Sequence, residues 1–236
     1  GYQILQEGGT SQNAVEETIK IMENSPLFNA GLGAVLTNDE TVSLDASFME
    51  GSNLNAGAIA GSQYIKNPIS AAISVMNDSP HVLLSSEGAD EFAIKMGLDT
   101  MPNSYFITER RLNSVRKAKE NDKLAVIDPF INDYKYGTVG CVAIDKNGNI
   151  SSGTSTGGTT NKKWGRIGDA PIIGAGTYAN NECCGISATG WGEHFIRNVV
   201  AYDIAAQIMY NDESITEASK KSLEKVMKTG GDGGVI

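Results

Sequence analysis

The sequence predicts an α+β fold built as a layered sandwich, on three observations. Amphipathic helical stretches and strand-like runs are interleaved along the chain. Tight polar turns join neighbouring strands, which favours antiparallel pairing over regular crossover units. With 236 residues and neither a charge break nor a low-complexity linker, the chain is expected to form a single domain, 1–236, around one substantial core.

The elements follow in order. Between residues 11 and 23, Ala14, Val15, Thr18, Ile19 and Met22 share one face while Glu16, Glu17 and Lys20 lie elsewhere, the pattern of an amphipathic helix ending at Asn24. Ser25 to Gly33 reads as a turn-rich loop. Ala34–Leu36 and Ser43–Met49 read as the paired strands of a small hairpin around Asn38-Asp39-Glu40. After a strand over Gly57–Gly61, Asn67-Pro68 supplies an N-cap with proline at the first helical position, and Ile69, Ala72, Ile73 and Met76 form the buried face. Ser86–Met96, stopped by Gly97, gives a third helix. From Glu109 to Tyr136 the hydrophobic pattern weakens and basic residues cluster at Arg110, Arg111, Arg116, Lys117 and Lys119. Residues 109–136 are expected to form a mobile connector.

Strands over 138–144 and 149–156 flank Asp145-Lys146-Asn147-Gly148, a hairpin signal because Asn-Gly suits the positive φ angles of tight turns. That turn sets residue 138 opposite 156 or 157, so Thr138 and Thr156 become neighbours. Residues 183–188 form another strand, and Thr189-Gly190 leads into one helix burying Phe195, Val199, Val200, Ile204 and Ile208. Such a strand-turn-helix junction points backbone N–H groups toward an anion.

Composition narrows the partners. The balance of 19 basic and 28 acidic residues, a formal charge of −9, disfavours nucleic acid and anionic membrane as partners but leaves a small-molecule or dipeptide substrate unaffected. No apolar run approaches the roughly 18 residues needed to span a bilayer. Cys141, Cys183 and Cys184 form neither a disulfide framework nor a zinc spacing and read as structural thiols of a reducing compartment, so a cytoplasmic location is expected. His81 and His194 are too few for a histidine-rich metal site. The 27 glycines gather beside Thr, Ser and Asn, as backbone packed closely around a site would require.

A threonine hydroxyl is a weak nucleophile unless a base removes its proton. A free α-amino group on the same residue, with a pKa near 8, can be that base once the residue is N-terminal. The Gly137-Thr138 bond suits such a cut: glycine tolerates a strained backbone, and the hydroxyl can attack the preceding carbonyl to give an ester that water splits.

The downstream segments Thr154-Ser155-Thr156-Gly157-Gly158, Gly165-Arg166-Ile167-Gly168-Asp169, Gly174-Ala175-Gly176, Tyr178-Ala179-Asn180-Asn181 and Thr189-Gly190-Trp191-Gly192-Glu193 occur in an order that resembles the plant-type asparaginases and isoaspartyl peptidases. Pro26-Leu27-Phe28-Asn29-Ala30-Gly31, Leu44-Asp45-Ala46 and Gly57-Ala58-Ile59-Ala60-Gly61 extend the resemblance upstream. It implies a four-layer αββα sandwich, the N-terminal-nucleophile hydrolase fold, and a precursor cut at Gly137-Thr138 into an α-subunit (1–137) and a β-subunit (138–236). Thr138 would be the nucleophile acting on asparagine or on isoaspartyl peptides, and Thr156 would tune it. Thr189 and the Gly190 N–H would form the oxyanion hole, and Asn29 would lie near the nucleophile.

By the same resemblance Arg166 would clamp the substrate α-carboxylate and Asp169 its ammonium. Backbone carbonyls of Met22, Glu23, Ser25, Phe28, Ala30 and Leu32 would bind a structural sodium ion; no organic cofactor is implied, and the assembly would be a homodimer of αβ units. Gly137 stands where glycosylasparaginases usually carry aspartate, which sets that activity behind asparagine and isoaspartyl hydrolysis. Family members also carry a His-Gly-Gly strand upstream and further strands after a Gly-Gly stretch like Gly233-Gly234. Without these the sandwich is expected to be trimmed at both ends, and the alternative expectation is an unprocessed homologue that binds amino acids without turnover.

Overall fold

The computed structural model describes residues 1–120 and 137–236. Helix α1 (Tyr2–Gln6) leads into α2 (Ser11–Glu23), which is capped by Thr10: its hydroxyl accepts the Asn13 N–H at 3.2 Å. Then come β1 (Leu44–Glu50), β2 (Ala56–Ser62), α3 (Pro68–Asp78), β3 (Leu83–Ser85) and α4 (Ser86–Lys95). A 3-10 turn over Asn103–Phe106 precedes α5 (Glu109–Glu120). The second half supplies β4 (Val139–Ile144), β5 (Ile150–Thr156), β6 (Thr177–Asn180) and β7 (Cys184–Gly190). It ends with α6 (Gly192–Asn198), α7 (Val200–Asn211), α8 (Ile215–Lys228) and β8 (Gly233–Val235).

The strands form two sheets, ordered β3-β2-β1-β5-β4 and β6-β7-β8. Among the described strands β2 and β3 pair in parallel and the other ladders are antiparallel. Helices α2 and α3 pack on the first sheet, the two sheets pack on each other through β1, β4, β5, β6 and β7, and α7 covers the second sheet with α6 and α8 beside it. The layers therefore run αββα, as the sequence led us to expect.

Side-chain alternation along β5 explains how the layers meet. Gly153 faces the helices, and a Cβ there would stand 2.8 to 3.0 Å from Val15, Ile19 and Ile69 of the apolar core under α2 and α3. Ser152 and Thr154 face the second sheet, where Ser152 Oγ donates to the Ile186 carbonyl at 2.6 Å and Thr154 Oγ1 lies 2.6 Å from Ser187 Oγ. Ser47 adds bonds to the Ala170 carbonyl and to Thr177. Small hydroxyl residues, each hydrogen-bonded, thus let the sheets approach closely without stranding a buried polar group. A second apolar core, including Phe195, Val200, Ile204 and Val226, lies between the second sheet and its helices.

Four local expectations are corrected. Ala34–Leu36 forms no hairpin with Ser43–Met49: Ala34 and Leu36 are buried with Val42, Phe106 and Val115 in a satellite core, while β1 pairs with β2 and β5. Asn67 does not cap α3 with its side chain; the Glu23 carboxylate accepts the Ile69 N–H at 3.0 Å, and Asn67 Nδ2 donates to the same carboxylate. The connector expected over 109–136 begins instead as α5, whose buried face carries the polar Arg111 and Ser114 beside Val115 and Ala118. Its remainder, 121–136, lies outside the described residues. Finally, the one helix expected after Gly190 is two, because Val199 adopts a left-handed φ of 48° between α6 and α7.

Candidate active site

The β4–β5 hairpin carries the two threonines. Asp145 fixes its turn: Oδ1 accepts the N–H groups of Asn147 (2.9 Å) and Asn149 (3.1 Å), Oδ2 accepts the Ser11 N–H, and Gly148 takes a φ of 81°. These backbone bonds hold the Asp145 carboxyl below its usual pKa range against the opposing effect of burial. The resulting register pairs Val139 with Ser155, so Thr138 stands across from Thr156. Their hydroxyl oxygens are 2.9 Å apart. Thr156 Oγ1 also accepts the Gly158 N–H at 3.0 Å, which leaves the Thr156 proton free to be donated to Thr138.

Asn29, almost fully buried, ties the preceding residue to this hairpin. Its backbone N–H donates to the Gly137 carbonyl at 3.2 Å, and its own carbonyl accepts the Gly157 N–H at 3.1 Å. The side-chain Nδ2 donates to the Gly158 carbonyl (2.8 Å) and Oδ1 accepts the Val35 N–H (2.9 Å). One residue therefore holds both Gly137 and the turn that follows Thr156.

Strand β7 brings Thr189 to the same place. A Cβ on Gly137 would stand 3.8 Å from Thr189 Oγ1, and Thr138, Ser187, Thr189 and Gly234 line a common cleft of about 370 Å3 with Met22 and Phe28. Ser187 and Ile236 exchange both backbone bonds (3.0 and 2.9 Å), so alternation along β7 and β8 makes Gly190 and Gly233 a non-bonded pair. The Gly190 N–H is thereby turned away from β8. Only glycine fits there, since a Cβ would stand 2.4 Å from the Asp232 carbonyl oxygen.

Arg166 and Asp169 meet beside Gly192. A Cβ on Gly192 would stand 2.9 Å from Arg166 Nη2 and 2.9 Å from Asp169 Oδ1, while one on Gly158 would stand 3.5 Å from Arg166 Nη1. Gly158 thus joins the Arg166 fork to the Thr156 hydroxyl. Glu193 grips the other edge of the fork, Oε1 accepting from Nε and Oε2 from Nη2, both at 2.9 Å, and these hydrogen bonds from Arg166 hold the Glu193 carboxyl below its usual range. Burial pushes Asp169 up to about 7, with the Arg166 charge and a backbone bond pulling partly back. Its Oδ2 has no hydrogen-bond partner among the described residues.

The loop after α2 closes on Glu23. The Leu32 N–H donates to the Glu23 carbonyl at 2.7 Å, Met22 accepts the Ser25 N–H at 3.1 Å, and Gly31 and Gly33 take φ of 50° and 93°. The Glu23 side chain points elsewhere, accepting Ser155 Oγ–H at 2.7 Å next to Thr156. Burial raises its carboxyl to about 7 against the bonds from Ser155, Ile69 and Asn67. Among the described residues no group of three or more His, Cys, Asp or Glu side chains could hold a metal.

Thr138 and Thr189 therefore line the cleft, Thr156 and Asn29 bond to Thr138 and Gly137 beside it, Gly190 follows Thr189 on β7, and Arg166 flanks Gly158 and meets Asp169 at Gly192. Sequence reasoning did not single out Glu193 or Lys162. Glu193 stands inside the Thr189-Gly190-Trp191-Gly192-Glu193 segment, where an acid at i+27 from Arg166 carries no periodic signal; Lys162 is one of two adjacent lysines. His194 turns out to bond Thr229 and His81 is exposed, so neither enters the site.

The asparaginase family model matches residues 1–236. The chain is 45% identical over 241 residues to the isoaspartyl peptidase of Escherichia coli strain K12, covering 100% of this chain and 75% of that protein. It is 41% identical over 238 residues to the isoaspartyl peptidase/L-asparaginase of Xenopus laevis (100% and 75%). The corresponding protein of Bos taurus is 40% identical over 237 residues (100% and 76%). With two facing sheets between helical layers and a family match over residues 1–236, the chain belongs to the asparaginase family of N-terminal-nucleophile hydrolases.

Proposed function

We propose that this protein is an autoprocessed threonine amidohydrolase that cleaves isoaspartyl dipeptides and hydrolyses L-asparagine to L-aspartate and ammonia. The observation that carries the reading is the 2.9 Å approach of the Thr138 and Thr156 hydroxyls, beside a Gly137 carbonyl that already accepts the Asn29 N–H. In the precursor, Thr138 Oγ1 attacks the Gly137 carbonyl carbon, the peptide C–N bond breaks, and an ester remains while the Thr138 amine is freed. Water then hydrolyses the ester, leaving subunits 1–137 and 138–236.

In turnover the freed amine takes the Thr138 hydroxyl proton as the oxygen attacks the side-chain carbonyl of the substrate. Thr189 Oγ1 and the Gly190 N–H stabilise the oxyanion, and Thr156 steadies the nucleophile. Ammonia, or the amine of an isoaspartyl dipeptide, leaves with the proton. Water activated by the same amine hydrolyses the acyl-enzyme and releases L-aspartate. Arg166 and Asp169 hold the α-carboxylate and α-ammonium, which restricts the site to substrates with a free amino-acid head.

The loop over residues 22–32 offers backbone carbonyls of Met22, Glu23, Ser25, Phe28, Ala30 and Leu32, hard oxygen donors of the kind sodium takes, and there the ion would be structural. The free cysteines Cys141, Cys183 and Cys184 support a reducing, cytoplasmic compartment, and a homodimer of αβ units is proposed as the assembly. Ammonia release from L-asparagine and cleavage of a β-aspartyl dipeptide, both lost in Thr138→Ala, test the function. A protein that binds L-aspartate but turns over neither substrate would overturn it.

A further inference from the structure

The proposed substrate-head site has a second, fully enclosed cation beside it. Lys162 is 2% exposed, and its Nζ donates to the Ser43 carbonyl at 2.7 Å and lies 3.7 Å from Asp45 Oδ2. A Cβ on Gly158 would stand 3.0 Å from Lys162 Nζ and 3.5 Å from Arg166 Nη1, so the ammonium and the guanidinium flank one glycine. That glycine also donates its N–H to Thr156. Asp45 belongs to β1, directly across from Thr156 on β5, and its Oδ1 is occupied by the Gly61 N–H at 2.8 Å.

Burying a lysine is costly, and the carboxylate paired with Lys162 lies 3.7 Å away. Two like charges converging on Gly158 repel, and an anion bound at the open edge of Arg166 would relieve that repulsion while gaining from both. Asp45 supplies one negative charge against the pair, and Glu193 is already committed to the Nε–Nη2 edge of the fork. The remaining nitrogen, Nη1, faces two glycines: a Cβ on Gly168 would stand 2.7 Å from it and one on Gly158 3.5 Å.

We propose that Lys162 supplies the second fixed positive charge of the α-carboxylate subsite, acting from behind Gly158 while Arg166 makes the direct contact. This rests on the hydrolase reading above. Lys162 is therefore a positioning and specificity residue for the substrate head, with no part in proton transfer at Thr138. Burial draws the ammonium toward a lower pKa, Asp45 opposes this, and Arg166 adds to it; a bound carboxylate would favour the charged form.

The test compares L-asparagine with L-asparaginamide, in which the α-carboxylate is replaced by a neutral amide. Lys162→Met alone leaves Asp45 buried without its cation, so Asp45→Asn/Lys162→Met serves as the companion that removes both charges. We expect KM for L-asparagine to rise about tenfold in the folded variant while KM for L-asparaginamide changes by less than about twofold. Equal losses on both substrates, or none, would overturn the assignment. On the wild-type chain, saturating L-aspartate should shift the 15Nζ resonance of Lys162, identified by its absence in Lys162→Arg; an unmoved resonance under saturation would also overturn it. A wild-type protein showing that shift without turnover would instead refute the hydrolytic reading alone.

Discussion

The backbone N–H of Asn29 meets the carbonyl oxygen of Gly137 at 3.2 Å, while the Asn29 side chain holds Gly158 and Val35. The bond proposed for self-cleavage thus carries a donor on its oxygen, placed by a residue that also fixes the Thr156 turn. Asn29→Ala leaves that N–H in the chain but removes the side-chain bonds that hold it. Unsatisfied buried partners cost about 1 to 3 kcal/mol, which for a chain of this size lowers the melting temperature by several degrees. We expect that loss together with an approximately tenfold slower cut. A gel time course at unchanged rate would remove Asn29 from the processing step.

Thr156 is predicted to act through its hydroxyl rather than its shape. Thr156→Val keeps the β-branched volume but loses the bond to Thr138, and kcat should fall about a hundredfold, the usual scale for one lost polar contact in a transition state. Thr156→Ser should retain most activity. Comparable kcat in the valine variant would mean the 2.9 Å contact serves only the hairpin.

Asp169 gives the substrate head a pH dependence. Burial places its carboxyl at about 7, yet pairing with the substrate ammonium requires the ionised form. Activity must also fall as the freed Thr138 amine is protonated below its pKa near 8. On the acid side log kcat/KM should therefore steepen to a slope of about 2, and Asp169→Asn should reduce it to about 1. A wild-type slope of about 1 at all acid pH would argue against Asp169 as the ammonium partner.

Glu23 and Asp169 also set a direction for stability. Their folded-state values of about 7 lie above the ordinary 4.5 and 3.8, so between those limits the folded chain binds more protons than the unfolded one. Stability contributed by these carboxyls is present at the acid end and is lost as pH rises toward 7. Glu23→Gln should accordingly flatten the melting-temperature profile between pH 4.5 and about 7. An identical profile in the variant would show that Glu23 titrates in the ordinary acid range.

How much of this was legible in the sequence depends on whether the determining contacts are local. The 138–156 hairpin could be read because Asp145, Asn147 and Gly148 fix its register within one turn. Helix α8, which the sequence reading above does not include, also carries a local signal: Ser214 accepts the Glu217 N–H, a Ser-x-x-Glu start. Helix α5 was obscured because Arg111 and Ser114 occupy buried positions, with Arg111 Nε donating to the Gly33 carbonyl. The left-handed break at Val199 lies in an apolar run where nothing marks it. Likewise the Glu23 cap on α3, the Glu193 grip on Arg166 and the Lys162–Asp45 pair join segments far apart in sequence, so only the assembled layers reveal them.

Whether Thr138 becomes an N-terminal nucleophile is read from the intact mass of the wild-type protein. Two fragments are expected after incubation, the second beginning at Thr138, and a single uncut chain for Thr138→Ala. A wild-type chain that stays whole while hydrolysing L-asparagine, or a cut at any other bond, would contradict it.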